Sequence, residues 1–186
     1  MSVNLAILVG GKSKRFGFDK CTYEFKGMKM IDWIKESIGF LFDDILLIGE
    51  NSNLNCNFIQ DLNPGFGPIS GLETALVNSD EGVFLISCDM PFVMKAVVEM
   101  MIEHSYSHSI VCAEIDGIYQ VTHALYSKKV LLSIKKEMAR RNPSLKHLIS
   151  TSDDVLILDD KNLCSIENYA VSFTNFNALE DLERYL

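Results

Sequence analysis

Long apolar runs are missing from this chain of 186 residues. No stretch approaches the roughly 20 apolar residues of a membrane helix. The N-terminus enters a strand-like segment within a few residues, so no signal peptide is visible. A positive balance is missing too: the formal net charge is −8, which argues against nonspecific attachment to nucleic acid or to an anionic membrane. The cysteine spacing of a metal site is absent. Cys21, Cys56, Cys88, Cys112 and Cys164 are odd in number and no two share a ligand spacing. They read as reduced thiols of a cytosolic protein, several of them filling the core. The histidines, His104, His108, His123 and His147, offer no helical metal pair with an acid beside it. A structural role is favoured for all four, with His123, in Gln120–Tyr126, the one within reach of a substrate pocket. No Ser-His-Asp or Cys-His arrangement is readable, and there is no repeat, low-complexity run or linker. The length suits one domain, residues 1–186, with a core large enough to stand alone.

What is present is concentrated near the start. The apolar run Leu5-Ala6-Ile7-Leu8-Val9 reads as a buried strand and leads into Gly10-Gly11-Lys12-Ser13-Lys14-Arg15-Phe16-Gly17-Phe18-Asp19-Lys20. Glycines let the backbone approach an anion and turn N–H groups toward it, while Lys and Arg neutralise its charge. The spacing matches neither the Walker pattern nor the dinucleotide fingerprint. A solvated basic loop is the bland alternative, but three Gly, three Lys and one Arg in one loop of an acidic chain favour a local phosphate site.

Periodicity then predicts strands over Asn4–Val9, Ile45–Ile48, Phe58–Gln60, Val83–Cys88, Ile110–Glu114, Ile118–Val121, Val155–Leu158 and Ala170–Phe173, with Tyr23–Phe25 and Ala124–Tyr126 extended. It predicts helices over Met30–Phe42, Gly71–Asn78, Val93–His104, Lys128–Arg140, Leu145–Ile149 and Leu179–Leu186. Ser144 is placed to cap the helix from Leu145. Strands alternating with helices imply an α/β sandwich with a mostly parallel sheet, and Asp116-Gly117 is a hairpin signal that adds an antiparallel strand. In such sheets ligands sit at the carboxyl ends of strands. The basic loop, Gly49 and Asp89 all lie at such ends.

Asp89 closes a buried strand, and Pro91 resists continuing the ladder. Alone it reads as a turn or capping residue. Beside a phosphate loop, its carboxylate suits Mg²⁺, which normally keeps waters and phosphate oxygens as its other ligands. The chemistry implied is nucleotidyl transfer, in which a nucleoside triphosphate is attacked at its α-phosphate and pyrophosphate leaves. Arg15 and Lys20 are the natural cations, whereas Lys12 and Lys14 read as surface charge.

At this point the motifs resemble a known family. Leu8-Val9-Gly10-Gly11 with Ser13, Arg15, Gly17 and Asp19-Lys20 is similar to the first signature of molybdenum cofactor guanylyltransferases. Asp61 with Pro64–Leu72, Cys88–Phe92, Tyr119–Tyr126 and Phe173–Leu182 resemble further segments in the same order. The resemblance implies a Rossmann-like three-layer sandwich of the nucleotide-diphospho-sugar transferase type. It implies a cytoplasmic enzyme that transfers GMP from Mg·GTP to molybdenum-molybdopterin cofactor, with transient contact to molybdenum-insertion proteins or molybdoenzyme chaperones. Carried over by position, Leu8, Val9 and Gly10 contact the nucleotide and Gly11 leaves room for it. Arg15 and Lys20 hold phosphates, Asp61 binds the guanine nucleotide, and Asp89 binds Mg²⁺ and nucleotide. Asn175 and Asn177 lie near the metal or the pterin. Departures are Val9 for Ala, Val121 for Pro, Ala178-Leu179 for Thr-Pro, and Gly49 where relatives use Asn, with Asn51 nearby. Two rivals stand beside this reading. One is a cytidylyltransferase using CTP, disfavoured by the room that Gly10-Gly11 leaves. The other is a catalytically silent nucleotide-binding protein, disfavoured by the joint presence of Arg15, Lys20 and Asp89.

Overall fold

The computed structural model describes residues 2–9, 20–49 and 57–176. Gly10, Gly11, Arg15, Asn51, Cys56, Asn177 and the expected helix Leu179–Leu186 therefore lie outside the described residues.

A six-stranded sheet forms the middle layer. Its strands are β1 (Val3–Leu8), β4 (Ile45–Ile48), β5 (Gly82–Ser87), β6 (Ile110–Ile115), β7 (Ile118–Ser127) and β8 (Val155–Leu158), and they lie in the order β4-β1-β5-β7-β6-β8. β1 pairs in parallel with β4 and β5, and β6 does so with β8; β7 alone runs the other way, between β5 and β6. The sheet is thus mostly parallel with one antiparallel strand. The reversal comes at Asp116-Gly117, where both residues have positive φ, 51° and 75°. That is the handedness a tight two-residue hairpin needs. A separate small hairpin joins β2 (Glu24–Phe25) to β3 (Met28–Lys29).

The period-2 rule divides the strand side chains between two cores. Leu5, Ile7, Phe84, Ile86, Val111, Ala113 and Leu125 face one side. There they meet Ile31, Ile34 and Ile38 of α1 (Met30–Ile38) and Val97, Val98 and Met101 of α3 (Lys95–Glu103). Ala6, Val83, Leu85, Ile110, Cys112, Ala124 and Tyr126 face the other. That side is covered by α2 (Pro68–Val77), α4 (Leu131–Met138) and α5 (Leu145–Thr151). Helices on both faces of a sheet make the expected three-layer α/β sandwich.

Several boundaries differ from the sequence reading. α1 stops at Ile38 and passes into a 3-10 turn, Gly39–Leu41, rather than reaching Phe42. Ile118–Val121 and Ala124–Tyr126 form one continuous ten-residue strand, β7. Phe58–Gln60 contributes a single bridge, Ile59 beside Ile48. Ala170–Phe173 is not a strand. After Asn168 in the left-handed region the chain closes i→i+3 bonds, Val171 N–H to Asn168 O and Thr174 N–H to Val171 O, as a 3-10 helix over Tyr169–Phe173. It packs over the α3 face of the sheet and extends neither edge. A short helix α6 (Asp160–Leu163) was not expected. Asp159 and Asn162 build its capping box.

Candidate functional site

β1 sends the chain to β4 on one side and neighbours β5 on the other, so the strand order reverses at β1. A crevice opens at the carboxyl ends of strands where such a reversal occurs. The three strand ends are locked together beyond the strands themselves. Val9 N–H donates to Ile48 O at 2.8 Å, and Cys88 N–H donates to Leu8 O at 3.2 Å. Leu8, Val9 and the run Cys88-Asp89 therefore share one rim. Lys20 begins a 3-10 turn, Lys20–Thr22. The following Cys21 is disulfide-bonded to Cys88. The expectation that all cysteines are reduced thiols is corrected here. The two lie 67 residues apart, and tertiary proximity brings their Cα atoms to 5.5 Å. Cys112 is buried and free, and Cys164 is exposed and free.

Asp61 reaches the same rim from the β4 side. Gly49 N–H donates to Ile59 O at 2.9 Å and Ile59 N–H to Leu47 O at 2.8 Å, which prolongs the β4 ladder toward Asp61. The loop beyond is fastened to α2: Leu62 N–H donates to Thr74 Oγ1 at 3.0 Å and Asn63 Nδ2 to Glu73 Oε2 at 2.6 Å. α2 begins at Pro68 with Gly67 as its N-cap residue, three residues before the start expected at Gly71. Gly71 marks the tightest approach. A Cβ there would lie 2.5 Å from Leu8 Cδ2 and 3.8 Å from Asp61 Oδ1. With the Leu8 side chain where it stands, this close approach of α2 to the end of β1 leaves no room for a Cβ at Gly71. Asp61 Oδ1 is buried with no hydrogen-bond partner among the described residues, as is Ser70 Oγ. Burial holds the Asp61 carboxyl above the usual carboxylate range. An orphaned acceptor beside a crevice suits a ligand that brings N–H donors.

Asp89 stands half-buried after β5, in a turn closed by Met90 N–H to Ser87 O at 3.1 Å. The C-terminal segment docks on it: Phe176 N–H donates to Asp89 O at 2.9 Å. This brings the exposed Asn175 into the neighbourhood of Asp89. Phe176 is fully buried and meets Phe92 edge-on at 5.1 Å; Phe92 meets Phe25 at 5.7 Å and Trp33 at 6.4 Å. This aromatic wedge holds the segment after Asp89, and sequence reasoning missed its role. The signal was visible in Pro91-Phe92 and Asn175-Phe176, where the polar neighbours drew the attention.

His123 does not reach a pocket. It is fully buried on the α3 face, between the rings of Phe84 at 5.2 Å and Phe173 at 4.5 Å. Its Nε2 lies 3.1 Å from Ser172 Oγ, which also accepts the Met94 N–H at 2.9 Å. His123 thus ties β7, the start of α3 and the 3-10 helix together. Burial pushes its pKa down to about 4.

Among the described residues no three His, Cys, Asp or Glu side chains gather as a metal cluster. Asp89 offers a single hard carboxylate at the end of β5; Mg²⁺ commonly takes one or two carboxylates and completes its shell with phosphate oxygens and water. Among the described residues no helix is long and apolar enough to cross a membrane.

The model of the MobA-like NTP transferase domain matches residues 5–155. The chain belongs to that family. It is a nucleotidyltransferase of the Rossmann-like, nucleotide-diphospho-sugar transferase type. Its relatives include the molybdenum cofactor guanylyltransferase of Desulfosudis oleivorans, 27% identical over 96% of this chain and 91% of that protein. Another is the "Probable molybdenum cofactor guanylyltransferase" of Aquifex aeolicus, 31% identical over 97% of this chain and 88% of that protein. Among solved structures, molybdopterin-guanine dinucleotide biosynthesis protein A of Archaeoglobus fulgidus superimposes with a TM-score of 0.82, 23% identity, and coverage of 97% and 95%. That likeness speaks for the fold. The matched span takes in β1 from Leu5 onward, the residues that follow it, Asp61 and Asp89, and ends before Asn175.

Proposed function

We propose that this protein, as a single nucleotidyltransferase domain, transfers GMP from Mg·GTP to molybdenum-molybdopterin cofactor and releases pyrophosphate. The observation that carries the choice of base is Asp61. Its buried, unpartnered Oδ1 lies close to Gly71, where α2 packs on Leu8 at the end of β1. A carboxylate is an acceptor-only group. Guanine presents adjacent ring N–H and amino donors on one edge, whereas cytosine presents acceptors beside its single amino group. The names of the relatives point the same way. The room left by Gly10-Gly11, which lie outside the described residues, is a supporting argument from the sequence alone.

In this reading Leu8, Val9 and Gly10 line the nucleotide, Gly11 leaves space for it, and Asp61 orients the base. Arg15 and Lys20 are the cations that hold the triphosphate and the charge that develops on it. Asp89 is the residue that holds Mg²⁺, and Asn175 and Asn177 stand on the metal or pterin side. Bound there, Mg²⁺ supplies charge neutralisation across the phosphate oxygens. The protein forms no covalent intermediate: its own groups position the α-phosphate and exclude water.

The test is to incubate the purified protein with Mg²⁺, molybdopterin cofactor and each of the four common nucleoside triphosphates, following pyrophosphate and dinucleotide. Product from GTP alone is expected; product from CTP instead overturns the base assignment, and binding without turnover supports a silent nucleotide-binding protein. Asp89→Ala and Lys20→Ala are each expected to lose most of the rate with the fold intact. Full activity of Asp89→Ala across a range of Mg²⁺ concentrations would remove its metal role.

A further inference from the structure

We infer that Cys21 and Cys88 are a reversible thiol–disulfide site whose state governs how firmly the two phosphate-facing halves of the pocket are held together. The inference rests on the nucleotide reading above and adds a covalent control to it. Cys21 directly follows Lys20, and Cys88 directly precedes Asp89. Their Cα atoms lie 5.5 Å apart across a chain separation of 67 residues, within the range that a disulfide spans. The bond therefore joins the turn that carries the proposed phosphate cation to the strand end that carries the proposed metal carboxylate.

Cys21 has a partner in either redox state. Besides its bond to Cys88, the Cys21 sulfur lies 3.5 Å from the carbonyl oxygen of Val9, at the end of β1. As a thiol, Cys21 donates its S–H there; as a disulfide it has no proton to donate. Reduction thus exchanges a covalent tie across the pocket for a weak hydrogen bond within one side of it. Neither of the other described cysteines has a comparable position: Cys112 sits inside the sheet and Cys164 on α6's exposed flank.

The exchange is a balanced two-step reaction with a low-molecular-weight disulfide as oxidant. The Cys88 thiolate attacks one sulfur of that disulfide and expels one small thiolate. The Cys21 thiolate then attacks the Cys88 sulfur of the mixed disulfide and expels the second. Two protein thiols are oxidised to one disulfide, one small disulfide is reduced to two thiols, and the two protons pass to the leaving groups. A dithiol reductant reverses the sequence.

The oxidised state presents Lys20 and Asp89 to a triphosphate on a frame that is already closed. Affinity rises when the cost of ordering has been met before binding. The full chain is prepared with oxidised glutathione and, separately, with dithiothreitol. Thiols are counted in denaturant and Mg·GTP binding is measured by calorimetry. The oxidised protein is expected to show two fewer thiols and about tenfold tighter Mg·GTP binding. Cys21→Ser and Cys88→Ser are each expected to bind at the weaker level whatever the redox treatment, while Cys164→Ala retains the difference. Equal thiol counts after the two treatments overturn the disulfide. Two fewer thiols with equal Mg·GTP affinity leaves the nucleotide reading standing and overturns the coupling. Two fewer thiols with no Mg·GTP binding in either state overturns the nucleotide reading, and the coupling with it.

Discussion

His123 gives the protein a built-in sensitivity to acid. The ring is fully buried between Phe84 and Phe173, and its pKa falls from 6.5 to about 4. The polar side chain that meets it among the described residues is the uncharged Ser172. A folded-state pKa below the unfolded value means that the unfolded chain takes up the proton first. Stability is therefore fully present above pH 6.5, falls as the pH drops through that value, and levels off below about 4. With those two values the loss is about 2 kcal/mol at pH 5 and about 3 kcal/mol at the acid limit. The assay is urea unfolding at pH 7.5 and pH 5 of the wild type and of His123→Gln, with the disulfide in one state throughout. Gln keeps an amide that can meet Ser172 but takes no proton, so carboxylates that titrate in the same window cancel in the comparison. His123→Gln is expected to be the less stable protein at pH 7.5, because its shape fits the aromatic slot poorly, and to lose about 2 kcal/mol less than the wild type on going to pH 5. An equal loss in both proteins refutes the reasoning.

Other outcomes follow from the geometry. Gly71→Ala sets a Cβ at 2.5 Å from Leu8 Cδ2, so the Leu8 side chain must shift at the proposed nucleotide site. Because a side-chain tip can move, thermal unfolding should change little while KM for the nucleotide rises several-fold; an unchanged KM separates Leu8 from the nucleotide. Asp61→Asn removes a carboxylate that burial already disfavours, so its melting temperature should not fall, whereas its preference for GTP over CTP should drop by about tenfold or more, since an amide oriented as donor no longer matches guanine. Retained preference would show that the base is read elsewhere. Glu137→Ala removes a buried carboxylate that lies 2.7 Å from His147 Nδ1 and accepts the Ser144 N–H at 3.0 Å, which joins α4 to α5. A loss of about 2 kcal/mol in urea unfolding is expected, and an unchanged midpoint would mean that the junction is held by apolar packing alone.

Much of the frame can be read along the chain because it depends on local rules. Ile45–Ile48 and Val155–Leu158 are short apolar runs between turn residues, and both are strands within those bounds. Asp116-Gly117 accepts positive φ at low cost, so the hairpin follows from two residues. Ser144 caps α5 by accepting the His147 N–H at 3.1 Å, as its position before the helix implies. The failures have a common cause. Ala170–Phe173 has the apolar content of a strand, but where it packs is decided by Asn168 and by the Ser172 hydroxyl between Met94 and His123.

Composition, periodicity and the order of the motifs were enough for the fold class and the chemistry class, because strand and helix periods and glycine-basic loops act over a few residues. What joins distant residues is invisible at that range. The alignment of the β1, β4 and β5 ends, the pressing of Gly71 on Leu8, the closing of Phe176 over Asp89 and the pairing of Cys21 with Cys88 each link positions that are tens of residues apart. Each is a consequence of packing two helical layers on one twisted sheet, where side-chain volume and strand order, and no local preference, decide which residues meet.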